Sequence, residues 1–144
     1  MEKLPPIEKV FEAWTALADG RVKMHDDYVD VSSSDGEKSY VVKFKGTQYS
    51  SDDNATFWQG YAGYPVIAVL MLQGKLPYDE ENIKLWKDIN WTKLNKKYKN
   101  KYKEAVEEVA EERGIDLEKA YEKADKVIEE LKTLPIEIKR KIKD

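Results

Sequence analysis

The chain has 144 residues, 41% of them hydrophobic and 37% charged, with a net charge of −3 and no cysteine. A chain of this size buries roughly two-thirds of its unfolded surface, so it can hold a core without staples, and its composition is not that of a disordered chain. The missing cysteines exclude disulfides and thiolate metal sites, and the longest apolar run, Val66–Leu72, is far shorter than the ~20 residues that cross a bilayer.

The opening MEKLPPIEKVFEAW has no basic stretch leading into an apolar one, so no secretory signal is read and a cytoplasmic protein without membrane contact is expected. Charge is uneven. Residues 1–90 carry 10 Lys/Arg against 15 Asp/Glu, and residues 91–144 carry 15 against 13. The overall acidity argues against a DNA-coating protein, while the basic excess concentrated between Lys93 and Lys103 leaves a local basic face.

Ile7, Val10, Phe11, Trp14 and Leu17 are spaced three and four apart, so Pro5–Ala18 is predicted as a helix with one apolar stripe, ended by Gly20. A β-meander follows: Arg21–Met24, a turn at Asp26-Asp27, Tyr28–Ser32, a hairpin at Asp35-Gly36, Ser39–Phe44, and a short strand Thr47–Tyr49. Tyr40, Val42 and Phe44 alternate with Val41 and Lys43, giving the third strand one buried face. Ser50–Asn54 reads as a polar loop able to cap a helix, and Ala55–Tyr64 is rich in aromatics and glycine. From Pro65 to Leu72 a helix apolar on nearly every side is expected at the centre of the core.

Asp79 can cap a short helix carrying Ile83, Trp86 and Ile89. From Trp91 the stripe Trp91, Leu94, Tyr98, Tyr102, Ala105 and Val109 predicts one long helix ending at Gly114. A second helix from Asp116 completes a helical hairpin. Pro135 breaks it, and Ile136–Lys143 is a basic tail compatible with further helix.

The strand, polar loop, Gly/aromatic segment and apolar helix between Ser39 and Leu72 together resemble the SWIM zinc-binding domain, whose CxC…CxH ligands hold a strand pair against a helix. Tyr40, Val42 and Phe44 match the strand before the first ligands, and Val66-Ile67-Ala68-Val69-Leu70 matches the following helix. The ligand positions fall on Ser50, Asp52, Gly63 and Pro65, which cannot hold zinc in a four-coordinate shell, so neither metal nor cofactor is expected. The resemblance implies a strand–loop–helix unit, here with packing of Trp58 and the tyrosines in place of metal, and binding to nucleic acid or protein.

The lone histidine, His25, sits beside Asp26 and Asp27 with no nucleophile, and reads as a solvated turn residue. The serine clusters lack a nucleophile elbow, and the acidic pairs lack a calcium-loop spacing. No catalytic residue is identified. WQGYAGYP offers Trp58, Tyr61 and Tyr64 as a partner-binding cluster, with Gly60 and Gly63 permitting close approach of another backbone. Lys93, Lys96, Lys97, Lys99, Lys101 and Lys103 form an acid-free run that could contact phosphates, with Tyr98 and Tyr102 among them.

The expectation is therefore an α+β protein: an N-terminal helix, a small antiparallel meander on a central apolar helix, and a C-terminal helical hairpin. Residues 1–78 would form the SWIM-like unit and 79–144 a helical extension packed with it. The expected function is a non-enzymatic adaptor for a protein partner, with nucleic-acid binding by the lysines as the alternative.

Overall fold

The apolar stripe of the first segment forms helix α1 (Glu8–Ala18) in the computed structural model, which describes residues 3–142. Its surroundings differ from the one-sided packing that the stripe implies. Every residue from Lys9 to Ala16 is buried, because four other helices lie against α1.

The meander follows as β1 (Val22–Met24), β2 (Tyr28–Ser32), β3 (Ser39–Lys45) and β4 (Gln48–Ser51), paired antiparallel in sequence order. Val29 lies opposite Val42 and Val31 opposite Tyr40, so the inward set is valine-rich. A slip of one residue would turn that set to solvent, which is what holds the register. Helix α2 (Asn54–Gln59) occupies part of the polar and aromatic stretch, capped by Asp53. Helix α3 (Tyr64–Leu72) is buried from Pro65 to Met71 and lies between the sheet and α1. With no polar face to offer water, it has only the core as a stable position.

Helix α4 (Glu80–Lys84) begins at Asp79, whose carboxylate accepts the Glu81 amide at 2.9 Å. Next come α5 (Trp91–Lys97), α6 (Tyr102–Arg113) and α7 (Leu117–Thr133), and the last element is β5 (Glu137–Ile138). The core is one continuous cluster from Val10 to Ile136, so residues 1–78 and 79–144 share it.

Two predicted elements are corrected. The helix expected from Trp91 to Arg113 is two helices, because Lys99 (φ 51°) and Asn100 (φ 63°) adopt left-handed backbone. The Asn100 amide donates to the Asn95 carbonyl at 2.7 Å, closing α5, and asparagine tolerates this conformation better than most residues. The corner brings Glu108 against Lys97 and the Tyr98 hydroxyl. In a straight helix, residues eleven apart would be roughly 16 Å apart along the axis. Within the tail, whose last predicted residue, Lys143, lies outside the described residues, Glu137–Ile138 is a strand rather than a helix: β5 pairs parallel with β4, Glu137 N donating to Thr47 O at 2.9 Å and Lys139 N to Tyr49 O at 2.8 Å. Ile136 is buried and Ile138 half-buried, a spacing of two that suits a strand.

Thr15 joins the two halves of the chain. It is fully buried, its hydroxyl donates to the Trp86 carbonyl, and it accepts the Trp91 indole N–H at 2.8 Å. Thr15→Val keeps the shape and leaves both partners unsatisfied, so it is expected to cost about 1–3 kcal/mol. Urea denaturation of the two proteins measures it; an unchanged midpoint would show that water replaces the hydroxyl.

Candidate functional site

The enclosure of α1 puts its polar side chains inside the protein. Lys9 and Glu12, one turn apart, are 8% and 7% exposed. The Lys9 Nζ stands 3.3 Å from Glu12 Oε2. That contact is ionic without hydrogen-bond alignment, so Oε2 is buried and lacks a directed donor. Glu12 Oε1 faces the amide of Asn95 at 3.4 Å. Lys9 also lies over the Tyr102 ring, 4.3 Å from its centre, at the start of α6.

Burial pushes the Glu12 carboxyl above its usual value, and the nearby ammonium of Lys9 opposes this without cancelling it. For Lys9, burial alone would lower the proton affinity. The Glu12 carboxylate and the neighbouring Tyr102 outweigh it and hold the ammonium above its usual value.

This pair lines a polar cavity of about 390 Å3. Its walls come from the β2–β3 turn (Ser33, Ser34), β3 (Tyr40), the start of α2 (Asp53, Asn54), Tyr64 of α3, and α5 with its following turn (Thr92, Asn95, Lys96, Lys99, Asn100). Arg21 lines it too, paired to Asp19 at 3.3 Å and donating to the Ser32 carbonyl. The side chain of Ser34 fastens the turn to α5, accepting the Thr92 amide at 3.0 Å. Burial pushes the Tyr64 phenol well above its ordinary value, with Arg21 opposing, and Tyr40 meets its ring edge-on.

One wall is set by a hydrogen-bond knot between β4 and α3. Ser51 donates to Asp53 Oδ1, Asp53 Oδ2 accepts the Thr56 amide at 3.0 Å, and the Thr56 hydroxyl accepts the Gly63 amide at 2.9 Å. A Cβ on Gly63 would lie 2.4 Å from Asp53 Oδ2, so this close approach requires glycine. The SWIM-like ligand positions surround the knot: Ser50 is buried in β4, Asp52 accepts the Val41 amide at 2.8 Å, Gly63 precedes α3 and Pro65 is buried in its first turn. Among the described residues, no three His, Asp or Glu side chains gather as a metal site.

The aromatic cluster divides. Trp58 is 63% exposed on α2, so it does not pack the junction as the sequence implies; the polar knot occupies that place. It meets Phe57 edge-on, and Arg140 lies over both rings at 5.5 Å. Tyr61 is half-buried beside Lys3, and Tyr64 turns to the cavity. Gly63 is buried and unavailable to a partner backbone, while Gly60 is exposed in the left-handed cap of α2.

The six lysines are likewise split between two helices and the turn. Lys97 pairs with Glu108 and Lys103 with Glu107, Lys96 and Lys99 stand at the cavity, and Lys93 and Lys101 are exposed. His25 is paired with Asp30 at 3.0 Å and stacked on Tyr28, so its partner is across the hairpin rather than in its own turn. A second cleft, of about 590 Å3, lies on the outer face of the sheet, lined by exposed or half-buried side chains such as Tyr28, Lys43 and Lys45.

Sequence reasoning missed Lys9 and Glu12, whereas Asp53 caps α2 from within the Ser50–Asn54 loop read as a helix cap. One signal was present: Ala13, Thr15 and Ala16 give α1 small residues off the main stripe, which allow a second packing face. Because the folded Glu12 binds its proton more tightly than the unfolded chain does, its ionisation removes stability as pH rises from the usual carboxylate value through the raised one. Relative to Glu12→Gln, the natural protein is therefore expected to lose stability across that window, as read by urea midpoints at successive pH values. A relative gain would show that Lys9 outweighs burial.

Residues 2–137 match the family model described as "Uncharacterised conserved protein UCP014422", a span that takes in α1, the sheet and all the later helices. No curated protein and no solved structure matches the chain. Among the described residues, no helix is long and apolar enough to cross a membrane. The chain belongs to the uncharacterised conserved protein family UCP014422.

Proposed function

We propose that the protein binds a small polar molecule in the cavity beside α1. The observation that carries this reading is the buried Lys9–Glu12 pair on its wall. A buried ion pair is poor value as a stabilising device, since desolvating two charges offsets most of their attraction. Buried charged groups whose proton affinity the surroundings shift, gathered in a cleft, are instead a mark of a recognition or reaction site. The cavity has the size of a ligand pocket and walls that offer amides, hydroxyls and charges from several elements.

The test separates stability from binding. Lys9→Met with Glu12→Leu removes both charges while keeping the volume apolar, and such replacements are neutral or stabilising by about 1–4 kcal/mol. The double variant is expected to melt no lower than the natural protein and to bind none of the polar compounds that shift cavity amides of the natural protein in an NMR screen. A variant that is markedly less stable, or one that binds the same compounds equally well, would give the pair a purely structural role.

A second reading is favoured by the exposure of Trp58: a protein partner docking on Trp58, with Tyr61 beside it. Trp58→Ala would then remove a protein that co-purifies with the natural chain, and an unchanged set of co-purifying proteins would dismiss it. Nucleic-acid binding through the lysines has less support, because the corner at Lys99–Asn100 divides the run and two of its six cations are paired to glutamates.

A further inference from the structure

We infer that the ligand of the α1 cavity is a small hydroxylated anion, its charged group held at the mouth by Lys96 and Lys99 and its hydroxyl groups turned to the floor. This rests on the small-molecule reading and adds the chemical class. The assignment follows from which charges already have partners. Of the four cations lining the cavity, Lys9 is paired with Glu12 and Arg21 with Asp19. Lys96 and Lys99, both exposed, form no ion pair among the described residues.

The backbone reinforces the point. Lys99 reaches its position only because it adopts left-handed φ, a costly conformation for a lysine. The same corner breaks a run otherwise suited to one continuous helix, and it places two unpaired ammonium groups on one cavity edge. Deeper in, the positive charge is already balanced. The buried floor holds Lys9 and Glu12 as a balanced pair together with the Asp53 carboxylate, so an anion is better placed at the mouth, where the cations have no ion pair among the described residues. The Glu12 carboxylate accepts hydrogen bonds, and the half-buried Asn95 amide and, nearer the mouth, those of Asn54 and Asn100 both donate and accept, which suits hydroxyl groups. Phosphate and carboxylate share this chemistry at the mouth, and the probes below separate them.

Calorimetric titration of the full chain with ribose 5-phosphate, gluconate, ribose and inorganic phosphate tests the assignment. At least one of the two hydroxylated anions is expected to bind about tenfold or more tightly than ribose or inorganic phosphate, because each charge-assisted contact adds to the neutral ones. Lys96→Gln with Lys99→Gln, both exposed substitutions that spare the core, is expected to bring that anion's affinity down to that of ribose and to abolish its salt dependence. Whichever of ribose 5-phosphate and gluconate binds more tightly identifies the anionic group. Ribose binding as tightly as the anions, affinity unchanged in the double-glutamine variant, or no binding by any of the four probes overturns the inference. Neutral polar compounds that bind the natural chain and fail on the Lys9→Met/Glu12→Leu variant would sink this assignment alone and leave the small-molecule site standing.

Discussion

Helix α1 has no face turned to water, and much of the molecule answers to that constraint. A helix with Lys9, Glu12 and Thr15 among its buried residues must find partners for them inside the protein, since an unpaired buried polar group costs more than a hydrogen bond returns. Thr15 is satisfied by Trp86 and Trp91, which brings the stretch between α4 and α5 onto α1. The Tyr121 hydroxyl donates to Glu8 at 2.9 Å, which fixes α7 at the same helix's first turn. Phe11, Trp14 and Trp86 then pack edge-on and tilted around the hub, with Tyr121 against Phe11. The later helices are therefore positioned by polar contacts as well as by apolar area.

Satisfaction is incomplete at Glu12, and also at the buried indole N–H groups of Trp14 and Trp86. Thr15 is bonded on both sides, yet Glu12 Oε2 has an ionic neighbour and no aligned donor. Of these groups, only the Glu12 carboxylate lines the polar cavity; the threonine and the two indoles lie in the aromatic core. The same contrast holds at Asp53, whose two oxygens are occupied by Ser51 and Thr56. Asp53 reads as the structural anchor of the cavity wall and the Lys9–Glu12 pair as its chemically open part.

The fold was largely legible in the residues, and the site was not. Apolar spacing located α1 and α7, the Asp35-Gly36 hairpin set the meander, and the all-apolar α3 could only be central. Those signals are local, or depend on one face being dry. The corner at Lys99–Asn100 escaped because the apolar stripe runs across it: periodicity registers which residues face inward and is blind to a backbone reversal confined to two residues, only one of them an asparagine. The β5 strand escaped because two residues beside β4 carry no periodicity of their own beyond Ile136 and Ile138. Lys9 and Glu12 escaped for a different reason. On an amphipathic helix charged residues are read as solvated, and their burial depends on α5 and α6, elements more than eighty residues away.

The corner and the cavity have one origin. Had the run from Trp91 to Arg113 stayed helical, Glu108 could not meet Lys97 and Tyr98, and the lysines would lie along one rod facing solvent. Breaking the run folds α6 back so that Tyr102 covers Lys9 while Lys96 and Lys99 stay at the opening. Glu108 holds the break closed, its carboxyl kept below the usual range by hydrogen bonds from Lys97 and Tyr98. The backbone strain at Lys99 thus sits where the basic run, the capped end of α5 and the buried pair on α1 converge. The contacts of Asn95 and Glu108 hold it in place, and on the proposed small-molecule reading its consequence is to set Lys96 and Lys99 at the opening.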